Sequence, residues 1–530
     1  MARFKPGVGF SDFVISDTAK SKTRISLGLP SLGVGLPRWI FAGSLLAVCL
    51  LWVRVIMLAG FLGSRYAVLA DENRIKQIIV PAPRGNIFDR NNKLLATDNS
   101  AGIRQYPLGP AAAHVVGYLG AVDPKEVGLL RPRGGKYNLH DLIGRGGIEK
   151  VMEEVLKGQD GGRIVEVNQA GVAVRDMGTA PPIPGQEIHL SLDADLQSVA
   201  YEATKFEKAA VVVRVPSTGE ILALVSTPSF DPATPKPDSA FLNRAIGALY
   251  APGSTFKMIT TIAGIDSGKM SRDFTYQDVG FIRVGDFTYN NWFFTQYGRT
   301  EGVVGWIKAL TRSTDTFFYT VGADTGAETL AKYAGDLGLG KLTGIEIDGE
   351  VAGLVPTPQW KLKTKGEAWF LGNTYHMAIG QGDVLTTPIQ VNLMTNVLAT
   401  GGKKCRPHLS GSKVSCENVK ISPQALDIVS RGMIGACSAG GTAFPLFDFK
   451  PQVACKTGTA EFVRPDGKIG THAWLTAYAP ADHPTISVTV LVEGGGEGSR
   501  AAAPVARKIL AKYFGVEDHY NYAAISGQGE

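Results

Sequence analysis

The sequence predicts an α/β (α+β) fold, in which one antiparallel sheet packed by helices is carried on a small β-rich domain and an N-terminal transmembrane helix. Three observations predict it. Residues 39–62 form an apolar run with one charge, Arg54. Residues 65–187 are polar and turn-rich, with short β-like pieces. From His189 onward, apolar β-rich runs at both ends of the segment bracket helical patterns, which fits a single sheet closed by its first and last strands.

The composition narrows the function classes. The chain has 530 residues, 44% hydrophobic and 19% charged, enough for two or three domains and a large core. Gly 64 and Pro 29 are high but not periodic, so they mark turns and not a collagen-like or low-complexity chain. A net charge of +6 spread over this length, with no dense Lys/Arg run, argues against nucleic-acid binding. Five Cys without a Cys-x-x-Cys or Cys/His cluster give no metal motif.

The elements follow in order. A helix over 39–62 reaches about 36 Å, enough to cross a bilayer. A buried soluble helix and a cleaved signal peptide are the alternatives. The run is long, begins late and lacks a clear small-x-small site. Residues 1–38 carry Arg3, Lys5, Lys20, Lys22, Arg24 and Arg38 against Asp12 and Asp17. The positive-inside rule puts that tail in the cytoplasm and 63–530 outside. Ile78–Val80 reads as β, and Ile148–Leu156 as a short helix ended by Gly158. A strand at His189 leads into a helix capped by an Asp. Ala209–Val215 and Glu220–Ser226 form a hairpin about Pro216–Gly219. His472–Ala479 and Ile486–Glu493 are two further strands, backed by a helix over Ala503–Phe514. Residues 519–530 read as a loose tail.

Three short motifs carry chemistry. In Ala251-Pro252-Gly253-Ser254-Thr255-Phe256-Lys257, the Pro-Gly break is followed by an apolar run that suggests a helix starting near Ser254. Residues i and i+3 share a helix face, so the Lys257 amine can reach the Ser254 hydroxyl. A hydroxyl beside an amine is an activated nucleophile only if the amine can be neutral, and burial plus a second cation favours that. Alone, the pair could be an ordinary capped helix. The second motif, Ser313-Thr314-Asp315, interrupts an apolar helical segment and alone reads as a helix cap. The third, Lys456-Thr457-Gly458-Thr459, follows Val453 and Ala454. On a strand it offers a cation, a hydroxyl and a backbone edge along which a peptide could add as a strand. There Gly458 would let the ligand backbone approach. The alternative is a turn.

Together, in this order, the motifs are the signature set of penicillin-recognising serine acyltransferases. The chain resembles the class B penicillin-binding proteins, most closely their elongation-type penicillin-binding protein 2 branch. The resemblance extends to Glu72-Asn73-Arg74, Arg84–Asn91, Gly147-Ile148-Glu149 and Leu156-x-Gly158. It continues through Leu192-Asp193, Leu196-Gln197, Leu222–Pro232, Asn243-Arg244-Ala245, Gly380-Gln381-Gly382 and Thr387-Pro388. It implies a cytoplasmic basic tail (1–38), a transmembrane helix (39–62), a pedestal or dimerisation domain (63–188), a transpeptidase domain (189–518) and a flexible tail (519–530). It places the protein in the bacterial cytoplasmic (inner) membrane with a periplasmic ectodomain.

The resemblance also implies the chemistry. Ser254 attacks the penultimate D-Ala of a peptidoglycan stem peptide, D-Ala leaves, and an amine from a second stem peptide takes the acyl group. A side activity as a D-Ala-D-Ala carboxypeptidase would go with it. Lys257 is then the general base, Ser313 a proton relay, and Lys456 an electrostatic partner. Asp315 fixes Lys257 or the substrate amide. Thr457 and Thr459 bind the substrate carboxylate, beside Gly458. The N–H groups of Ser254 and Thr459 form the oxyanion hole. No metal or organic cofactor is implied. The implied partners are stem peptides, penicillin and other β-lactams, a membrane glycan polymerase of the shape, elongation, division and sporulation family, and elongation-complex scaffold proteins.

Two departures matter. Asp315 stands where most of the family has Asn, as in elongation-type members. The stretch from Asp98 to Gly147 is short where relatives carry a long insertion, which puts pedestal-head contacts in question. The competing readings are a membrane-anchored β-lactamase, a β-lactam sensor and an inactive scaffold. No placed Glu for a deacylating water is identifiable, 1–38 is short for an effector domain, and all three motifs are present.

Overall fold

A computed structural model describes residues 38–522 apart from 127–136, 138, 140, 169–170, 237 and 412–413. The basic tail through residue 37 and residues 523–530 of the expected loose tail lie outside the described residues.

The chain divides into two compact units. One holds the residues through Gln77 with Ile164–Met177, and the other holds Ile78–Arg163 with Gly178–Glu530. In the first, a helix over Arg38–Ile56 continues as a π-turn over Met57–Phe61. None of this segment is buried, and it is long and apolar enough to cross a membrane. A helix apolar all round and covered by no protein fits a membrane anchor better than a soluble core helix. Cys49, the free cysteine among the described residues, is exposed on it.

The second unit is built on a five-stranded sheet in the order Ile221–Thr227, Ala209–Arg214, Ile486–Val492, Ile469–Ala479, Ala454–Val463. Neighbours are antiparallel throughout. The hairpin expected about Pro216–Gly219 is present, the two further strands expected near the C-terminus pair with each other, and Ala209–Arg214 meets Ile486–Val492 at the centre of the sheet. Side chains alternate across the sheet. Val211, Val213, Val488 and Val490 pack in one cluster with Ala506, Ile509 and Leu510 of the helix Ala502–Phe514. Ala210, Val212 and Leu491 pack in the other with Met258, Ile262, Phe317 and Val391. Because helices cover both faces, these strands read as continuous apolar runs, which is unusual for an antiparallel sheet.

Residues 78–163 sit in this same unit, and a buried charge cluster organises them. Glu149, fully buried, accepts from Arg84 Nε at 2.7 Å and Arg104 Nε at 2.8 Å, while Arg104 also donates to the Gly85 carbonyl at 2.9 Å. Arg84–Asn91 and Gly147–Glu149, two stretches that carry the family resemblance, therefore meet in one ion cluster. Asp89 follows the same logic, accepting from Asn91 N, Lys93 N and Ala194 N at 2.7, 2.8 and 3.0 Å.

The structure departs from the sequence reading locally. The helix expected over Ile148–Leu156 is two short helices, Gly147–Val151 and Glu153–Leu156, broken at Met152. The Asp cap is Asp193, which accepts from Asp195 N and Leu196 N. The expected loose tail is tethered at its start. Tyr520 lies under the Arg507 guanidinium at 4.8 Å, and Tyr522 under Lys508 at 4.5 Å. The four cysteines of this unit form two disulfides, Cys405–Cys416 and Cys437–Cys455. Four cysteines allow three pairings, so the sequence could not choose between them.

Candidate active site

Ser254 lies in a 3₁₀ turn over Gly253–Phe256 that leads into the helix Lys257–Asp266. The helix therefore starts one turn later than the sequence suggests, at Lys257. Gly253 has φ +54°, and a Cβ there would stand 2.9 Å from the Thr459 carbonyl oxygen. Only glycine lets the nucleophile turn press this closely on the third motif.

Both lysines are fully buried. Lys257 Nζ donates to the Ser313 carbonyl at 2.7 Å, Ser313 Oγ at 3.1 Å and Asp315 Oδ1 at 2.6 Å. These use the three protons of an ammonium. Among the described residues no hydrogen bond joins Lys257 to Ser254, and the expected contact is replaced by the Asp315 ion pair. Opposite charge at 2.6 Å outweighs a neutral hydroxyl one turn away. Lys456 Nζ bonds Ser313 Oγ at 2.9 Å and the Thr457 carbonyl at 2.9 Å.

The Ser313–Asp315 motif makes this convergence possible. Ser313 ends the helix Trp306–Arg312 in a left-handed conformation, φ 58°, and Asp315 begins the helix Asp315–Thr325. A serine rarely sits there, and the strain places its carbonyl and its hydroxyl against one lysine. The outer oxygen of Asp315 accepts from Trp292 N at 2.9 Å, and Asp315 N donates to Asn291 Oδ1 at 3.1 Å.

Burial pushes the Lys257 pKa down, and Asp315 opposes the shift. Burial and the Lys257 charge push Lys456 well below the ordinary lysine value, again opposed by Asp315. The sequence reading makes Lys257 the neutral amine and leaves Lys456 charged. The Asp315 carboxylate touches Lys257 and not Lys456, a contact that favours charge on Lys257.

The third motif lies on Ala454–Val463, the outer strand of the sheet, as expected of a strand that pairs with a peptide. Thr457 is nearly buried and its hydroxyl meets that of Thr442 at 2.7 Å. Thr459 is exposed, and its carbonyl accepts from Gln381 Nε2 at 3.4 Å. Gly458 differs from its expected use. A Cβ there would meet Trp474 Cβ at 2.9 Å, and Pro252 O and Thr255 Cγ2 at 3.2 Å. Its missing side chain makes room for the nucleophile turn within the protein.

The structure thus brings Lys257, Ser313, Asp315 and Lys456 into one hydrogen-bonded cluster beside Ser254 and Thr457–Thr459. Sequence reasoning misses Asn291, Trp292 and Thr442. None stands at a motif spacing, and the Gly440-Gly441 pair before Thr442 signals only a turn.

Comparison with known proteins agrees. Residues 209–511 match the penicillin-binding protein transpeptidase domain, and residues 100–190 the penicillin-binding protein dimerisation domain. The chain is 34% identical over 453 residues to the peptidoglycan D,D-transpeptidase MrdA of Haemophilus influenzae, covering 77% of this chain and 69% of that protein. It resembles the Helicobacter pylori PBP2 solved in complex with MreC, at 26% identity and TM-score 0.73, over 83% of this chain and 99% of that one. It also resembles a chain from a peptidoglycan synthase complex solved to show how polymerisation and crosslinking are coordinated. There the identity is 30% and the TM-score 0.75, over 92% of this chain and all of that one. The chain belongs to the penicillin-binding protein transpeptidase family. Its activity is that of a serine-type peptidoglycan D,D-transpeptidase.

Proposed function

We propose that Ser254 is the acylated nucleophile and that the two buried lysines share the proton it releases. The supporting observation is the single hydroxyl, Ser313 Oγ, that lies within hydrogen-bond reach of both amines. At rest Lys257 is the ammonium held by Asp315, and Lys456 is the neutral amine. A stem peptide adds along the open edge at Thr457–Thr459, with its terminal carboxylate near Lys456. That charge favours protonated Lys456, so a proton passes from Lys257 through Ser313 Oγ to Lys456. Lys257, now neutral, takes the Ser254 proton as Oγ bonds the penultimate D-Ala carbonyl carbon. The N–H groups of Ser254 and Thr459 hold the oxyanion. Collapse breaks the peptide C–N bond, and Ser313 passes a proton to the leaving D-Ala amine. An acceptor amine then attacks the acyl-enzyme and gives a proton through Ser313 to Lys456, while the ester C–O bond breaks and Ser254 Oγ takes its proton back from Lys257. β-Lactams enter the same path as mimics of the D-Ala-D-Ala end.

The same reading places 63–530 outside the cytoplasmic membrane, in the periplasm. It treats 63–188 as the pedestal and 189–518 as the catalytic domain. The partners are a glycan polymerase and elongation-complex scaffold proteins, supported by the two complexes to which this chain is similar. Its role is cell elongation and shape maintenance.

One experiment tests the centre of this reading. Labelled penicillin should add mass to a single peptide containing Ser254, and Ser254→Ala should abolish labelling while the thermal unfolding midpoint stays unchanged. Labelling that persists in a folded Ser254→Ala overturns the assignment. Depletion in cells should give round cells, and filaments would overturn the elongation role.

A further inference from the structure

Asp278 is a fully buried carboxylate outside the three motifs, at the end of the strand Thr275–Asp278. Its Oδ1 accepts from Gly280 N at 2.9 Å and Thr316 Oγ1 at 2.7 Å. Its Oδ2 accepts from Asn291 Nδ2 at 3.0 Å and Glu301 N at 2.8 Å. These donors are all neutral. Burying a carboxylate on neutral donors is costly, and the cost is tolerable only when the hydrogen bonds are all made.

The arrangement leads to the catalytic cluster. Asn291 is also fully buried, and its N–H donates to the Gly280 carbonyl at 2.7 Å. With its amide nitrogen fixed on Asp278, its Oδ1 is turned to Asp315 N. The next residue, Trp292, donates its backbone N–H to Asp315 Oδ2, and its indole N–H reaches the Arg312 carbonyl at 3.0 Å. The Arg312 guanidinium lies 5.8 Å over the Trp292 ring and donates to Glu301 Oε1 at 2.9 Å. Two consecutive residues therefore grip Asp315 at its backbone and at one carboxylate oxygen. The other oxygen is left aimed at Lys257.

We propose that Asp278 and Asn291 are positioning residues for the transpeptidation reaction, forming a clamp that aims the Asp315 carboxylate at Lys257. The proposal deepens the reading given under Proposed function and rests on it. A carboxylate free to rotate at the first turn of a helix would share its charge with water. The clamp spends one oxygen on Trp292 and so directs the other to the lysine. The titratable and charged groups around this point include Lys257 from the nucleophile helix, Lys456 from the edge strand, Tyr319 on the helix that Asp315 begins, Asp278 behind Asn291, and Arg312 with Glu301 beside Trp292.

The test measures the rate constant for acylation by a fluorescent penicillin against pH, per mole of labelled active site, on the full-length membrane protein. Asp315 opposes the lowering of both lysines, so a loosened carboxylate lets the pair give up its first proton at lower pH. Asn291→Ala should lower the plateau rate roughly tenfold, less than the ~100-fold that a full 1 Å misplacement can cost. It should also move the pH midpoint downward. Thr316→Val, which removes one donor to Asp278, should move it the same way by less. Asp315→Asn should move it most. A merely structural role would lower the labelled fraction and leave the midpoint in place. An unmoved midpoint in Asn291→Ala, with Asp315→Asn shifted, overturns the clamp. If Asn291→Ala does not fold, an unmoved midpoint in Thr316→Val overturns it. An unmoved midpoint in Asp315→Asn overturns the underlying site reading instead.

Discussion

Lys257 and Lys456 meet at one hydroxyl, with Ser313 Oγ 3.1 Å from the first amine and 2.9 Å from the second. One O–H can donate to one of them only, so the shared serine fits one ammonium and one neutral amine better than two ammoniums.

The first prediction concerns pH. Acylation needs one neutral amine, and burial pushes both lysines below the ordinary value. The rate should therefore rise with pH through a midpoint below that of a free lysine, about 10.4. Lys456→Gln removes the site that takes up the second proton, so Lys257 keeps its proton to higher pH and the midpoint should move up. The pH profile of β-lactam acylation measures this. A flat profile, or an unmoved midpoint in Lys456→Gln, counts against the two-lysine account.

The second prediction isolates the bridge. Ser313→Ala removes the hydroxyl and leaves the carbonyl on Lys257. Acylation should fall by about a hundredfold or more, the usual weight of a positioned proton-transfer group. Single-turnover labelling against circular dichroism separates this loss from misfolding.

The third prediction concerns Gly458. Gly458→Ala drives a Cβ to 2.9 Å from Trp474 and 3.2 Å from Pro252 and Thr255. Overpacking of this kind costs about 1–3 kcal/mol. It should also push the nucleophile turn from the edge strand, so the unfolding midpoint and the acylation rate should fall together.

The fourth prediction concerns the bond beside Lys456. Cys437–Cys455 ties the residue after the helix Pro423–Ala436 to the residue before Lys456, across 18 residues. Closing a loop of this size constrains the unfolded chain by about 3 kcal/mol. Cys437→Ser with Cys455→Ser should lose roughly that stability in denaturant melts. Because Thr442 lies in the closed loop and meets Thr457, β-lactam affinity should weaken too.

What could be read in the sequence is what short-range physics controls. The apolar span, the hairpin about Pro216–Gly219, the two late strands and the C-terminal helix follow from period, turn residues and length alone. The three motifs were visible because each has a fixed spacing on one element. The start of the nucleophile helix was misplaced at Ser254, since a 3₁₀ turn and a first α-turn share the same composition. The Lys257–Asp315 pair was open because it joins residues 58 positions apart. Asn291 and Trp292 could not be found at all. They reach the site through a long excursion between helices, and the burial of Asp278 has no local pattern to announce it.

The outer strand Ala454–Val463 leaves one line of backbone without a neighbouring strand within the sheet. A substrate peptide can pair there, and so could a strand from another copy of the same protein, which is the first step of aggregation. Proteins usually guard such an edge with Pro, charges or a bulge, but a guard within 456–459 would exclude the substrate as well. The protections stand outside that window instead. Pro451 precedes the strand, and the tip beyond it carries Arg464, Asp466 and Lys468. Those flanking residues should therefore govern solubility while leaving turnover almost untouched. Neutralising the tip should produce a protein that reacts with penicillin normally and precipitates readily.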